Sequence, residues 1–421
     1  MNKTVTPGSR SGAVSAPSSK SQAHRILICA ALAESRSVIT CPGISKDIEA
    51  TMNCLNGMGA QIYADGDVIN VQPIDRASLS VSSGEHMLPC SESGSTLRFL
   101  LPIVGALGID AAFAMEGRLP ERPMREYEDV LRSHGMNITR EGSLLHASGQ
   151  LKAGIFSLPG NISSQYFSGL LFALPLVAGD SRIVIEGNLE SRDYVIMTEN
   201  ALRQSGIVWK DLPDGYEICG NQTYSSEPQI RVEGDYSSAS FFLCAGALSA
   251  NGITVRNLSE ASGQGDRRIV DVLKKFGARI ERRGDEIFAR RDSLNAITID
   301  GSMIPDLIPV LSVVAAAARG TTHIIHAQRL RMKESDRIKS TVEMLKAIGA
   351  SVAETEDGMV IEGQEYLTGG TVDSYMDHRI AMAAAVAAGI CRNPVTVINA
   401  QCVSKSYPAF WDDLESMEVD R

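Results

Sequence analysis

The residues most suited to chemistry lie where polar, cationic segments run directly into apolar, helix-like stretches. Residues 18–25 read SSKSQAHR and lead into such a stretch, and they include Lys20, Ser21 and Arg25. A helix N-terminus has unbonded backbone N–H groups and a positive potential, so an anion such as phosphate is favoured there. The same residues also fit an ordinary capped helix with solvated charges, and this segment alone leaves both interpretations open.

Two further segments repeat the pattern. Residues 91–98 read SESGSTLR, and Gly94 would allow a ligand to approach the backbone closely. Ser163, Ser164 and Gln165 offer hydroxyl and amide groups at another helix start, where they could hold an anionic, hydroxylated ligand. Each could be a simple helix cap, but three equivalent helix starts with similar polar groups favour a binding site.

Charged residues also cluster in turns and near later helix starts. In residues 121–123 (ERP) the proline fixes the backbone beside Arg122, whose planar fork suits a carboxylate or phosphate, although a solvated arginine is the simpler interpretation. Residues 329–337 hold six ionisable groups, a composition that is also typical of a solvated helix face. Asp306 opens an apolar helix as either a cap or a base. The other charged groups are Arg379 in the segment MDHR (376–379) and Lys405 in SKS (404–406).

An internal repeat indicates which elements position these residues. The pattern Leu-x-x-x-Gly recurs at intervals of 76, 71, 71 and 72 residues. Each glycine follows an amphipathic stretch and precedes a short polar-tipped hairpin, which predicts that it ends a helix. The repeated pairs are Leu55/Gly59, Leu131/Gly135, Leu202/Gly206, Leu273/Gly277 and Leu345/Gly349.

Helices rich in small apolar residues follow the same period, and each precedes a β-branched strand. Six are predicted, at residues 25–33, 95–107, 163–178, 237–250, 306–319 and 378–388. A period near 70 residues is too long for common solenoids, so two domains of three units each are expected. The sixth unit ends without its hairpin, and we expect the strand at residues 3–7 to supply that edge. The predicted domains are therefore 14–228, and 1–13 together with 229–421.

Composition excludes several classes of function. The 421 residues carry a formal net charge of -10, which argues against nucleic acid or an anionic membrane surface as a partner. The longest apolar run, 309–318, is too short to span a bilayer, and residues 1–14 are polar without the apolar core that a signal peptide needs. The eight cysteines show no metal-binding spacing, and no nucleotide-binding loop or serine-hydrolase motif occurs. We expect a cytoplasmic protein with neither metal nor membrane association.

Taken together, the segments resemble the 5-enolpyruvylshikimate-3-phosphate synthase family of enolpyruvyl transferases. The resemblance covers essentially the whole chain, because residues 18–25, 94–98, 121–123, 163–165, 333–337 and 377–379 and Lys405 occur in the family's order and spacing. It implies an α/β fold with two similar domains, each of three βαβαββ units with buried helices, and an active site in the interdomain cleft. It also implies transfer of the enolpyruvyl group of phosphoenolpyruvate to 3-phosphoshikimate in aromatic amino acid biosynthesis, without a cofactor, by a monomer that is a target of glyphosate.

The resemblance assigns roles residue by residue. Asp306 would accept the proton of the shikimate 5-hydroxyl, Glu334 would protonate the phosphoenolpyruvate methylene, and Lys20 would also be catalytic. The positions matching the shikimate 3-phosphate site are Lys20, Ser21, Arg25, Ser163, Ser164, Gln165, Ser191, Asp306 and Lys333. The positions matching the phosphoenolpyruvate site are Lys20, Gly94, Arg122, Gln165, Arg337, Arg379 and Lys405. The sequence departs from the family pattern at Glu92 and Arg329, and neither is assigned a role.

Three other interpretations fit the sequence less well. A sugar-nucleotide enolpyruvyl transferase shares the fold, but its family has a reactive cysteine in the loop that here reads GRLPERP (117–123). A catalytically inactive repeat scaffold would not need the cationic residues together with both carboxylates. An RNA-processing enzyme would carry a basic, aromatic-rich face, which a net acidic chain does not favour.

Overall fold

The fold is described from a computed structural model, which covers residues 1–76 and 84–419. The chain divides into two compact units. The N-terminal unit is Lys20–Val232, and the C-terminal unit combines Met1–Ser19 with Glu233–Arg421. Each unit has a separate hydrophobic core.

The α-helices of the described residues are numbered in chain order. They are α1 (Lys20–Leu32), α2 (Lys46–Gly57), α3 (Gly94–Leu107), α4 (Arg125–Ser133), α5 (Ser164–Ala173), α6 (Arg192–Gln204), α7 (Tyr236–Leu248), α8 (Ile269–Phe276), α9 (Ile308–Ala317), α10 (Arg337–Ala347), α11 (His378–Ala387) and α12 (Phe410–Ser416). None of these described helices is both long enough and apolar enough to cross a membrane.

The β-strands are short and numerous. They are β1 (Lys3–Val5), β2 (Arg10–Ser15), β3 (Ser37–Thr40), β4 (Gln61–Asp65), β5 (Val68–Gln72), β6 (His86–Ser91), β7 (Ala111–Met115), β8 (Asn137–Glu141), β9 (Leu144–Ser148), β10 (Ile155–Pro159), β11 (Ser181–Glu186), β12 (Lys210–Leu212), β13 (Gly215–Ile218), β14 (Gln229–Arg231), β15 (Ile253–Arg256), β16 (Arg279–Arg283), β17 (Glu286–Arg290), β18 (Thr298–Asp300), β19 (Thr321–Ile325), β20 (Ser351–Glu354), β21 (Met359–Glu362), β22 (Gly370–Asp373), β23 (Val395–Ile398) and β24 (Glu418–Val419).

The repeated unit is a small sheet built around one buried helix. In the sheet with strand order β6-β7-β9-β8, the parallel strands β6 and β7 are joined through α3, and α4 then leads into the antiparallel hairpin β8–β9. The same arrangement recurs in the sheets β10-β11-β13-β12 and β18-β19-β21-β20. These elements form the βαβαββ unit that the family resemblance implies.

Strands that are distant in sequence complete the remaining sheets. Strand β14 pairs in parallel with β3, and β2 pairs in parallel with β15. In the sheet of the sixth repeat, β1 pairs antiparallel with β23, on the edge that a hairpin strand occupies in the sheets described above. The N-terminal strand thus occupies the edge position that the sequence analysis assigned to it.

These pairings also explain why the unit boundaries differ from the predicted ones. The prediction placed residues 14–19 in the first domain, but β2 runs to Ser15 and hydrogen-bonds with β15, which keeps this segment in the C-terminal unit. It placed residues 229–232 in the second domain, but β14 pairs with β3 in the N-terminal unit.

The small-residue helices are buried on nearly all sides. In α7 every residue except Ser237 is buried, and α7, α9 and α11 contact one another pairwise in the C-terminal core. Small side chains permit this close packing because they let neighbouring backbones approach. Two predicted helices differ at their ends, since α5 stops at Ala173 before the 3₁₀ turn Leu174–Leu176, and α9 is preceded by the 3₁₀ turn Pro305–Leu307. In both cases a proline lies in the 3₁₀ turn.

Candidate functional site

The start of α1 presents a partly buried ammonium group. Lys20 is its first residue, and its Nζ lies 3.0 Å from Oδ2 of Asp47 at the beginning of α2. The two side chains are 16% and 8% exposed. An ion pair with this little solvent is weakly screened and holds the lysine in one place. Ser21 follows it at the helix start and is partly buried.

Arg25, one turn further along α1, is held mainly by the protein itself. It donates hydrogen bonds from Nε to Thr198 Oγ1 (2.9 Å), from Nη1 to the Ser21 carbonyl (2.6 Å) and from Nη2 to the Tyr194 carbonyl (2.7 Å). Its guanidinium also lies 5.0 Å from the centroid of the Phe99 ring. Burial lowers the pKa of Arg25 to about 10, so the group remains charged at neutral pH. Each guanidinium nitrogen already has a partner, and binding of phosphate would be an additional role.

The start of α3 brings two guanidinium groups close to a glycine. A Cβ placed on Gly94 would lie 2.5 Å from Arg98 Nη1 and 2.7 Å from Arg122 Nη1. A side chain at Gly94 would therefore displace one or both arginines. Among the described residues, Arg122 Nε is buried without a hydrogen-bond partner. The result is a cationic helix N-terminus that suits an anion.

Gln165 links this helix start to the start of α5. Its Nε2 donates to Ser95 Oγ (2.8 Å), and its Oε1 accepts from Arg98 Nη1 (3.0 Å). Ser163 caps α5 by accepting a hydrogen bond from the backbone N–H of Gln165 at 3.3 Å, and Ser164 is buried beside it.

Ser191 immediately precedes α6 and is buried. It adopts the left-handed backbone conformation, with φ 54° and ψ 41°. A non-glycine residue held in this region carries backbone strain, which is common at functional sites.

In the C-terminal unit one buried arginine joins three carboxylates. Arg337 donates from Nε to Asp377 Oδ2 (2.7 Å), from Nη1 to Asp306 Oδ1 (2.8 Å) and from Nη2 to Glu334 Oε2 (2.6 Å). It is 1% exposed, which excludes a solvated helix face for this residue. Burial alone would lower the pKa of Arg337, but the three acids raise it above its ordinary value.

Asp306 is surrounded by cations. Besides Arg337, Arg379 Nη2 donates to its Oδ2 at 3.0 Å, and Lys333 Nζ lies 3.7 Å from its Oδ1. Burial by itself would raise the pKa of Asp306, but Arg379, Lys333 and Arg337 together hold it well below its usual range. Such a carboxylate is ionised at neutral pH but is a poor proton acceptor. An anionic ligand that attracted these cations would make it more basic.

Glu334 and Lys333 lie in a non-helical segment between the 3₁₀ turn Gln328–Met332 and α10. Asp336 caps α10 by accepting from the N–H of Lys339 at 3.1 Å, so the chain before it is free to turn Glu334 towards Arg337. Lys405 Nζ lies 4.0 Å from the other oxygen of Glu334, Oε1. Burial lowers the pKa of Lys333 to about 8, although Asp306 opposes this shift.

Sequence reasoning gave no role to two residues that the structure places in this cluster. Asp377 is fully buried, accepts from Arg337 and from the backbone N–H of Arg379 (3.0 Å), and begins α11 as its cap. The available signal was its place in the MDHR segment. Asp266 is also buried, and burial followed by the charge of Asp306 raises its pKa to about 6. No local pattern marked Asp266, because its neighbours come from other parts of the chain.

The structure thus distributes the predicted residues over both units. The N-terminal unit holds Lys20, Ser21, Arg25, Gly94, Arg122, Ser163, Ser164, Gln165 and Ser191, and the C-terminal unit holds Asp306, Lys333, Glu334, Arg337, Arg379 and Lys405. Within residues 1–76 and 84–419 no three His, Cys, Asp or Glu side chains are grouped so that they could hold a metal ion. Of the two departures from the family pattern, the Glu92 carboxylate packs against Gly117, and the Arg329 charge contributes to lowering the pKa of Lys333.

Known proteins resemble this chain over its whole length. The family model for EPSP synthase (3-phosphoshikimate 1-carboxyvinyltransferase) matches residues 5–414. The 3-phosphoshikimate 1-carboxyvinyltransferase of Clostridium acetobutylicum is 44% identical over 420 residues, covering 99% of this chain and 97% of that protein. The enzyme of the same name from Clostridium kluyveri is 43% identical over 426 residues, covering 99% and 98%. A solved structure of EPSP synthase from Acinetobacter baumannii superposes with a TM-score of 0.80 at 26% identity, covering 100% of each chain.

Proposed function

Because the chain belongs to the EPSP synthase family, we propose that it transfers the enolpyruvyl group of phosphoenolpyruvate to the 5-hydroxyl of 3-phosphoshikimate. The products are 5-enolpyruvylshikimate 3-phosphate and inorganic phosphate, on the route to chorismate and the aromatic amino acids. The observation that carries the residue assignments is the buried Arg337, which holds Asp306 and Glu334 on two nitrogens of one guanidinium. A reaction that needs one acid and one base requires two carboxyl groups in different environments, and here the other cations differ: Arg379 and Lys333 lie beside Asp306, and Lys405 lies beside Glu334.

The proposed mechanism is addition followed by elimination. Glu334 donates a proton to the methylene carbon of phosphoenolpyruvate, and positive character develops at the central carbon. The 5-hydroxyl oxygen attacks that carbon while Asp306 accepts its proton, which gives a tetrahedral adduct. In the elimination, Glu334 takes a proton back from the methyl group, the C–O bond to phosphate breaks, and the phosphate leaves with the proton that Asp306 accepted, which restores the enol ether and both carboxyl groups. Lys20 is proposed as the third catalytic residue, whose ammonium stabilises developing negative charge.

The environment of Asp306 supports its role as a base that is activated by substrate. Three cations now hold its pKa well below the usual range. Bound phosphate and carboxylate groups would compete for Arg337, Arg379 and Lys333, and each contact transferred to the substrate would leave Asp306 more basic. The base would therefore be strongest when both anionic substrates are present.

Two groups of binding residues complete the proposal. For 3-phosphoshikimate they are Lys20, Ser21, Arg25, Ser163, Ser164, Gln165, Ser191, Asp306 and Lys333. For phosphoenolpyruvate they are Lys20, Gly94, Arg122, Gln165, Arg337, Arg379 and Lys405. The buried, unpartnered Nε of Arg122 and the close packing at Gly94 support the second group.

The proposal extends to the setting of the reaction. The substrates balance the equation without a cofactor. We propose that the protein is cytoplasmic, since both substrates are phosphorylated intermediates of central biosynthesis. We also propose that it is a monomer, and light scattering after size exclusion tests that oligomeric state.

The deciding experiment measures phosphate release from phosphoenolpyruvate with 3-phosphoshikimate or UDP-N-acetylglucosamine as the acceptor. We expect release with 3-phosphoshikimate alone. Asp306→Asn, which keeps the shape and hydrogen-bonding capacity of the side chain, should lower kcat about 10²- to 10⁴-fold. Asp300→Asn is the matched control, because Asp300 lies in the same unit with its side chain 56% exposed and forms an ion pair with the exposed His326.

Each other outcome refutes a different part of the proposal. Release with the sugar nucleotide alone would assign the chain another acceptor. Release with neither acceptor would favour an inactive scaffold. Full activity of Asp306→Asn would remove Asp306 as the base and leave the reaction itself intact.

A further inference from the structure

A chain of buried hydrogen bonds connects three helices of the N-terminal unit beside the proposed substrate residues. His24 Nδ1 in α1 lies 2.7 Å from Thr51 Oγ1 in α2, and Thr51 Oγ1 lies 2.6 Å from Thr96 Oγ1 in α3. Thr96 Oγ1 in turn donates to Ser93 Oγ at 2.7 Å. All four side chains are fully buried, and none belongs to the proposed binding or catalytic set.

The direction of the last hydrogen bond fixes the others. The single hydroxyl proton of Thr96 is given to Ser93, so Thr96 must accept from Thr51. The proton of Thr51 is then used as well, and Thr51 must accept from His24. His24 therefore carries its proton on Nδ1 and is the donor that begins the chain.

His24 acts in this chain as a neutral group. Burial lowers the pKa of His24 to about 3. The charge of Asp47 partly opposes this shift, and the charges of Lys20 and Arg25 add to it. The ring does not change its charge near neutral pH. Its other nitrogen, Nε2, has no hydrogen-bond partner among the described residues, so Nδ1 makes the polar contact that matters.

The chain ends at the phosphoenolpyruvate half of the proposed site. Ser93 caps α3 by accepting from the backbone N–H of Thr96 at 3.4 Å, and the next residue is Gly94, against which Arg122 packs. The His24 end of the chain lies near Lys20. Lys20 precedes His24 by four residues in α1, and Asp47 precedes Thr51 by four residues in α2. The ion pair between Lys20 and Asp47 therefore joins the same two helices as the hydrogen bond between His24 and Thr51. The hydrogen bonds thus set the position of the α3 start relative to α1 and α2.

We propose that His24 is a positioning residue for phosphoenolpyruvate, acting through Thr51 and Thr96 on the helix start at Gly94. This inference rests on the proposed function. In this role His24 does not contact the substrate and does not transfer a proton. The hydrogen bond from Nδ1 is the property that the reaction requires.

Two substitutions at position 24 separate this hydrogen bond from simple packing. His24→Leu removes the donor and fills similar space, whereas the amide nitrogen of His24→Asn can take the place of Nδ1–H. We expect His24→Leu to raise the KM for phosphoenolpyruvate about 5- to 10-fold, as for the loss of one buried hydrogen bond. The KM for 3-phosphoshikimate should change less than about twofold, and His24→Asn should remain close to the wild type on the same scale.

Thr51→Val breaks the same chain without altering His24, and it carries the test if His24→Leu does not fold. Its effect on the KM for phosphoenolpyruvate should match that of His24→Leu. The double variant should be no worse than either single one, because both remove the same connection.

The outcomes discriminate between the inference and the function on which it rests. Equal rises in both KM values, additive effects in the double variant, or no rescue by His24→Asn would each overturn the role of His24. Wild-type protein that releases no phosphate from phosphoenolpyruvate and 3-phosphoshikimate would refute the proposed function instead, and the inference with it.

Discussion

Lys333 provides a pH-dependent test of the C-terminal cluster. Burial lowers the pKa of its ammonium from 10.5 to about 8, despite the nearby carboxylate of Asp306. The charged form, which would bind the phosphate of 3-phosphoshikimate, is therefore present below about pH 8 and is lost as the pH rises through that value. An ordinary lysine would lose its charge only near its usual pKa of 10.5.

The size of the effect follows from the fraction of lysine that is charged. At about pH 9, one unit above the pKa, roughly a tenth of the free enzyme retains the charge, so kcat/KM for 3-phosphoshikimate should fall about tenfold from its value at pH 7. A hydrogen bond to a charged group contributes about 1.5–3 kcal/mol, so the decline should level off at a loss of about 10- to 150-fold.

The assay measures kcat/KM for 3-phosphoshikimate between pH 6 and 10 at saturating phosphoenolpyruvate. In Lys333→Arg the guanidinium stays charged over this range, so the alkaline decline near pH 8 should disappear even if the added bulk lowers activity at every pH. Lys339→Arg is the matched control, because Lys339 lies in the neighbouring helix α10 with its side chain 63% exposed. It should leave the decline unchanged.

The reasoning fails if Lys333→Arg shows the same decline near pH 8 as the wild type. Another group would then titrate, and Lys333 would not supply the charge that binds phosphate. A wild-type profile that is flat to pH 10 would show that Asp306 and the other neighbours keep Lys333 charged despite its burial.

Two further predictions concern close packing and buried charge. Gly94→Ala should displace Arg122 or Arg98, whose guanidinium groups lie 2.7 and 2.5 Å from the position of the new Cβ. It should therefore raise both the KM for phosphoenolpyruvate and the inhibition constant of glyphosate about tenfold. If both constants are unchanged, neither arginine binds phosphoenolpyruvate or glyphosate. Asp266→Asn should stabilise the protein above pH 6. The pKa of Asp266 is raised from 3.8 to about 6, so the protonated side chain contributes stability that is fully present below pH 3.8 and lost as the pH rises through 6. The asparagine has no such charged form at higher pH. The shift corresponds to about 3 kcal/mol in the free energy of unfolding, and urea unfolding at pH 4.5 and 7.5 that shows no greater gain at the higher pH would contradict it.

Local elements could be predicted because their signals are local. The Leu-x-x-x-Gly pattern at Leu273/Gly277 predicted a helix end, and α8 ends at Phe276 with Gly277 at φ 98°. The short hairpin expected after Gly277 is β16–β17. Glycine tolerates this conformation without a steric penalty, so sequence and backbone correspond directly.

The sequence did not show which residues far apart in the chain are in contact in the fold. Residues 329–337 could equally have been a solvated helix face, because a run of charges does not reveal which charges come from elsewhere. The structure brings Asp377, 40 residues away, to Arg337, and this pairing allows the arginine to be buried. The partners of Asp266 and the chain from His24 to Ser93 likewise depend on which helices become neighbours.

The pairing of β1 with β23 affects the order in which the protein can fold during translation. The N-terminal unit is one continuous stretch, so it can fold as soon as Val232 has emerged. Strand β1 is synthesised before the N-terminal unit, whereas its partner Val395–Ile398 is synthesised after that unit. The edge of β1 therefore stays unpaired while the residues between the two strands are synthesised, and the charged Lys3 within β1 helps to keep that edge from pairing with another chain.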